Sequence, residues 1–365
     1  MPKLTPSLNW LLVFVPVSLV ANFVFHQPVV VFISSCIAIV PLAGLIGTAT
    51  EHLADRTGPT VGGLLNATFG NVTELIIGVL LVWAGEFEVV KASLIGSILG
   101  NLVLVLGASY LAGGLRHIRD GQRFDAKAAR MHSSSLLLAV AGMVMPAVFT
   151  VVALHETTAQ TEVISLVVAG VLIVLYLFAL VYTFGPGGNG GRRIGPATTR
   201  LPRDAAEVGE AGWSTRRSVI VLLVTAVTVG IESELLVGSL EPTLIALHLP
   251  RVFVGLFVIA FIGNVAEHAS AVLFAIRNKM DIAIEISFSS STQIALLVAP
   301  LLVFVSLLAP RPMNFIFITI EVVAVTLATL IVSVIAMDGR SNWLQGAQLL
   351  GVYVILAVST LFFSS

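Results

Sequence analysis

Charge is scarce in this chain. Only 11% of its 365 residues are Asp, Glu, Lys or Arg, while 57% are hydrophobic. A soluble globule of this size carries charge at roughly a quarter of its positions, so lipid must cover much of this surface. Cysteine is nearly absent. Cys36 stands alone, which excludes an intramolecular disulfide, and its apolar setting reads as a small buried hydrophobe. Neither sign of charge is in excess. A net charge of −1 singles out no macromolecular partner, and no nucleic acid is expected. Clustered imidazoles and thiolates are missing too, which argues against zinc or copper(I). His155-Glu156 begins like a metallopeptidase motif but continues Thr157-Thr158-Ala159, so no enzyme and no cofactor are expected. The N-terminus has no small-residue cleavage site after its apolar run and reads as a retained first helix.

Long apolar runs are abundant. Stretches of about 17–25 residues, the length that crosses a bilayer as a helix, fall near 10–25, 29–53, 61–84, 89–112, 132–154, 162–184, 217–238, 250–276, 281–308, 313–336 and 343–363. The expected fold is an all-α membrane protein of about eleven transmembrane helices. With eleven crossings, sixteen of the nineteen Lys and Arg residues collect on the face that holds the N-terminus; Lys91, Arg251 and Arg311 fall on the other. The positive-inside rule then places the N-terminus in the cytoplasm and the C-terminus outside. Trp10, Trp83, Trp213 and Trp343 lie at expected span ends, as interfacial anchors do.

The most specific feature is a repeat. Gly70-Asn71-Val72-Thr73-Glu74 recurs as Gly263-Asn264-Val265-Ala266-Glu267, 193 residues later. Ser97 follows Glu74 at the distance at which Ser290 follows Glu267, with Asn101 and Gln293 close behind. Five spans separate the two copies, an odd number, so they enter the membrane from opposite sides. The chain thus reads as a first helix (1–27), a five-helix repeat (28–185), a basic Gly/Pro-rich cytoplasmic linker (186–216) and an inverted five-helix repeat (217–365).

Carboxylates are costly in a bilayer and functional by default. Asn71 and Glu74 share a helix face, as do Asn264 and Glu267. The Gly-Asn steps weaken the helix, and a break at each would free carbonyls beside the acid. Two carboxylates, amide oxygens and free carbonyls make a hard-oxygen cage suited to Ca²⁺. Without a cation, two close carboxylates in low dielectric do not both stay ionised, so protons are expected to replace it. That makes an antiporter. Glu51 and Glu234, on spans in matching positions of the two halves, read as gating or proton-path acids at the site mouth. His268 is a candidate relay. Glu241 is expected in an outer loop. Glu285 and Glu321 read as inter-helix hydrogen-bonding groups.

The stretch Gly62–Ile76, with Gly96-Ser97-Ile98-Leu99-Gly100-Asn101, resembles the cation/proton exchanger family of the calcium/cation antiporter superfamily. So do Gly263–Val272, Arg277-Asn278-Lys279-Met280-Asp281, Ser289-Ser290-Ser291-Thr292-Gln293 and Asp338-Gly339-Arg340-Ser341-Asn342-Trp343-Leu344. The resemblance implies exchange of Ca²⁺, as transported substrate, for H⁺ across a lipid bilayer. It implies two inverted five-helix halves behind an unpaired first helix. It carries cation binding to Glu74 and Glu267, supported by Asn71, Asn264, Ser97, Ser290, Asn101 and Gln293, and it suggests Glu51 and Glu234 as flanking acids. A prokaryotic plasma membrane is the expected location. Exchange of another divalent cation, or coupling to Na⁺, is the alternative within the same fold. No oligomeric state is read, because lipid-facing and partner-facing surfaces share a composition.

Overall fold

A computed structural model describes residues 8–57, 61–62, 65, 68–118, 121–152, 158–184 and 213–362. Most of the linker expected over 186–216, and Asn66 of the first motif, lie outside them. The described residues form eleven apolar helices: α1 (Leu8–Phe25), α2 (Pro28–Thr57), α3 (Val72–Ala84), α4 (Phe87–Arg116), α5 (Ala126–Val152), α6 (Thr158–Phe184), α7 (Thr215–Leu247), α8 (Arg251–Ile276), α9 (Met280–Ser306), α10 (Thr319–Ala336) and α11 (Trp343–Leu361). All but α3 are long and apolar enough to span a bilayer by themselves. The two halves are inverted repeats behind the extra helix α1.

Contacts between the connections sort them onto two faces. On one, Trp213 before α7 stacks on His52 at the end of α2, with ring centroids 5.1 Å apart. On that same face the α4–α5 connection supplies a short strand (Gln122–Arg123), which pairs antiparallel with Arg340–Ser341 of the α10–α11 connection. On the other, Arg251 at the start of α8 reaches Glu86, between α3 and α4, and Glu241 near the end of α7. Burial holds the Glu86 carboxyl above its ordinary range, opposed by the Arg251 guanidinium. This alternation is what eleven crossings require.

Three local expectations are corrected. α7 runs on to Leu247, so Glu241 lies on a helix and not in a loop. α10 starts at Thr319 rather than 313: Pro310 and Pro312 cannot sustain a helix, and the stretch tucks inward. There Met313 N–H donates to Ser306 Oγ (2.8 Å), Phe315 N–H donates to Ser165 Oγ (2.9 Å), and both Met313 and Phe315 are buried. The Gly-Asn break exists in one copy only. Gly70-Asn71 is a turn at the start of α3, whereas Gly263-Asn264 lies inside continuous α-helix. In α8 the irregularity sits upstream, as a π-helical stretch at Val254–Ile259.

Glycine brings the central helices together. A Cβ on Gly96 of α4 would stand 2.2 Å from the Leu256 carbonyl oxygen, and one on Gly255 of α8 would stand 2.6 Å from Ala92 Cβ. Backbones that approach this closely gain dispersion contacts, the main attraction between helices already in lipid.

Candidate cation site

α3, α4, α8 and α9 meet at the centre, and each contributes polar side chains from the repeat. Asn71, Ser97, Asn101, Asn264, Ser290 and Gln293 are all buried. The bonds cross between halves. Asn264 Nδ2 of α8 donates to Ser97 Oγ of α4 at 2.9 Å, and Asn101 Nδ2 of α4 donates to Ser290 Oγ of α9 at 3.0 Å. Asn71 Nδ2 donates to Gln293 Oε1 at 2.7 Å, and Ser290 Oγ reaches Asn71 Oδ1 at 3.5 Å. Each motif asparagine therefore meets the serine of the other half, tightly in one copy and loosely in the other.

Each of the three asparagine amides donates in these bonds. What is left over is acceptor oxygen. Glu74 Oε2, Glu267 Oε2, Asn101 Oδ1 and Asn264 Oδ1 are buried without a hydrogen-bond partner. Buried acceptors are rarely left unsatisfied, and four from opposed halves fit a hard cation or protons. Glu74 packs against Gly263, one turn before Glu267 on α8, which puts both carboxylates in the same neighbourhood. Among the described residues no group of three or more His, Cys, Asp or Glu could hold a metal ion; the oxygens of this cluster come from two carboxylates, amides and hydroxyls.

The two acids are not equally placed. Glu267 lines a cavity of about 200 Å³ that extends along α2 to Glu51. Glu74 lies against Gly263, where a Cβ would stand 3.1 Å from its Cγ, and borders a void of about 10 Å³ with Ser97. That void is about one water in size. Glu51 therefore shares the cavity of Glu267, at the face of the basic connections. Glu234 does not join this cluster: it lines a separate cavity of about 560 Å³ with Asn22 and His26, between α1, α2 and α7. His268 is buried, and its imidazole would stand 3.7 Å from a Cβ on Gly100 of α4; both ring nitrogens lack partners.

Two features escaped sequence reasoning. One is the α2 wall that leads to Glu51: Ala43, Gly44, Gly47 and Thr48. A Cβ at Gly44 or Gly47 would meet nothing within 4 Å. The i, i+3, i+4 spacing of these small residues was the available signal. The other is a pair of π-helical stretches, Gly100–Val105 in α4 and Ile294–Val298 in α9. They correspond under the 193-residue spacing; the first contains Asn101 and Gln293 immediately precedes the second, and π-turns are frequent at functional sites. Of the other acids, Glu321 Oε2 accepts the Ile318 N–H within its own segment (3.0 Å), whereas Glu232 of α7 accepts from Ser18 of α1 at 2.8 Å.

The profile of the family described as sodium/calcium exchanger protein matches residues 27–185 and 217–362. A Ca²⁺/H⁺ antiporter of Synechocystis sp. is 43% identical over 362 residues, 96% of each chain. The Ca²⁺/H⁺ antiporter ChaA of Bacillus subtilis is 39% identical over 348 residues, 94% of this chain and 95% of its own. Among solved structures, native YfkE matches with a TM-score of 0.83 at 35% identity, over 98% of this chain and 100% of that one. These relatives are transporters rather than enzymes. Fold, repeat and full-length similarity agree with the resemblance drawn from the motifs: this chain belongs to the sodium/calcium exchanger protein family.

Proposed function

We propose that this protein exchanges Ca²⁺ for H⁺ by alternating access, with Glu74 and Glu267 as the shared site of cation and protons. The observation that carries the reading is the set of four buried, unpartnered acceptor oxygens contributed by both halves. A divalent cation held between the halves is neutralised by the two carboxylates and takes oxygen ligands of this kind; protons on the carboxylates replace it when the cation leaves. Mutually exclusive occupancy couples the two fluxes. The names of the relatives favour protons over Na⁺ as the coupling ion.

In this reading the conformation is open at Glu267 and closed at Glu74. The open cavity leads to the face rich in Lys and Arg, the cytoplasmic one under the positive-inside rule. Glu51 attracts the cation at that mouth. Glu234, on the matching helix of the other half and beside its own cavity at the opposite face, serves the other mouth. The N-terminus lies in the cytoplasm, the C-terminus outside, and the host is a prokaryotic plasma membrane. The units are the first helix (1–27), the two five-helix repeats (28–185 and 217–365) and the linker between them.

The test is Ca²⁺ uptake into everted vesicles under an imposed pH gradient, repeated with a Na⁺ gradient and with other divalent cations. Uptake that follows the Na⁺ gradient, or survives Glu74→Gln and Glu267→Gln, would overturn the proposal.

A further inference from the structure

Two of the motifs that carry the family resemblance, Arg277–Asp281 and Asp338–Leu344, lie away from the cation site. They meet on the face of the basic connections, around one buried side chain, Gln122. α8 ends there in a tight cap. Asn278 takes a left-handed backbone (φ 60°), Asn278 N–H donates to Ala275 O at 3.0 Å, and Lys279 N–H donates to Phe274 O at 2.9 Å. A helix end still leaves carbonyls to satisfy, and the α4–α5 connection supplies donors. Gln122 Nε2 donates to Ala275 O at 2.7 Å and to Asn278 Oδ1 at 3.1 Å. His117 Nε2 lies 3.0 Å from Ile276 O.

The other end of the Gln122 amide is held as well. Ser341 Oγ donates to Gln122 Oε1 at 3.4 Å, and a Cβ on Gly113 of α4 would stand 2.2 Å from that oxygen, so only glycine leaves room for it. Phe124 N–H donates to Gly339 O at 3.0 Å, and Asp281 Oδ1 accepts Asp125 N–H at 2.6 Å. One amide thus ties the end of α8 to α4 and to the α10–α11 connection.

α4 and α8 are the helices whose mutual register the cation site needs. Asn264 of α8 bonds Ser97 of α4, and His268 faces the π-turn at Gly100. Glu267 stands nine residues above Ile276, about 14 Å along a stiff helix, so a slip at the clasp is transmitted to the site. We propose that Gln122 is a positioning residue for cation exchange: its amide locks the inner end of α8 onto α4, keeps Asn264 and Glu267 aligned with Ser97 and Asn101, and stays bonded throughout the transport cycle. This rests on the exchange reading above.

The test uses the full-length transporter with Cys36→Ala, free of other cysteine. Arg123→Cys and Arg340→Cys place thiols on paired positions of the two short strands. Oxidation is expected to leave Ca²⁺ transport intact; loss of transport that a reductant restores would overturn the claim that the clasp stays closed. Gln122→Glu and Gln122→Met keep the side chain's size and remove its donor. Each is expected to raise the KM for Ca²⁺ severalfold at unchanged turnover per folded molecule, and to speed amide exchange at Arg277–Lys279. An unchanged KM refutes the positioning role even if yield drops. Should those variants fail to fold, Ser341→Ala loosens the amide more gently, and the same rise in KM is required of it. If the wild type exchanges no Ca²⁺ for protons, the functional reading fails, whereas unchanged amide exchange in the Gln122 variants fails the clasp alone.

Discussion

Glu74 and Glu267 are chemically equivalent in the sequence and unequal in the structure. Glu267 faces an open cavity, and Glu74 is walled in against Gly263. Both charges are needed to neutralise a divalent cation. Glu74→Gln or Glu267→Gln leaves a buried charge uncompensated, which costs about 3–5 kcal/mol, more than a hundredfold in cation affinity. Calorimetric titration with Ca²⁺ is expected to show that loss in either variant. Gly263→Ala probes the contact between the halves. Its methyl would sit 3.1–3.3 Å from Glu74 Cγ, Cδ and Oε1, so the carboxylate must shift by a few tenths of an ångström. The expected outcome is a folded protein with a raised KM for Ca²⁺; an unchanged KM would show that Glu74 does not need its present seat. Most of this site was legible from the repeat alone, because intramembrane carboxylates are few and the 193-residue spacing pairs them. Matching helix order paired Glu234 with Glu51 but could not give its depth, and its side chain lines a separate cavity with α1 rather than the one that holds Glu51 and Glu267.

At the scale of elements, composition located the helices and missed how they bend. Apolar length marks a span, but whether a Gly-Asn step breaks it depends on neighbours. Gly263-Asn264 stays helical because α4 packs alongside and Ser97 and Ala260 O both accept from Asn264 Nδ2. The register of a π-turn likewise leaves no mark in composition. Glycine separates packing from propensity in this bundle. A methyl at Gly96 meets the backbone of α8 at 2.2–2.7 Å. Backbone cannot rotate aside as a side chain does, so Gly96→Ala is expected to destabilise by about 3 kcal/mol or more. Gly230 of α7 has nothing within 4 Å of such a methyl, and Gly230→Ala should stabilise by about 0.5–1 kcal/mol through helix propensity. Thermal unfolding in detergent checks the pair, and equal midpoints would mean that the α4–α8 crossing is not close.

For the whole molecule, the proposed exchange by alternating access requires one face to be shut while the other is open. The open face carries Glu51 and the basic connections, and on the opposite face Arg251 joins Glu86 to Glu241. The Lys and Arg count predicts an orientation, yet sequence could not say which mouth stands open, because either state satisfies the same repeat. Accessibility can. Ser270 lines the open cavity three residues beyond Glu267. In a Cys36→Ala protein, Ser270→Cys is expected to react with a membrane-impermeant maleimide from the cytoplasmic side of everted vesicles and not from outside in intact cells. Ca²⁺ binding below it should slow the reaction. In the proposed exchange protons compete for the same oxygens, so this protection should weaken as pH falls and strengthen as it rises. Labelling from the outer side at rest would show that the closed face has been misassigned. Protection that grows stronger in acid would show that cation and protons do not share one site.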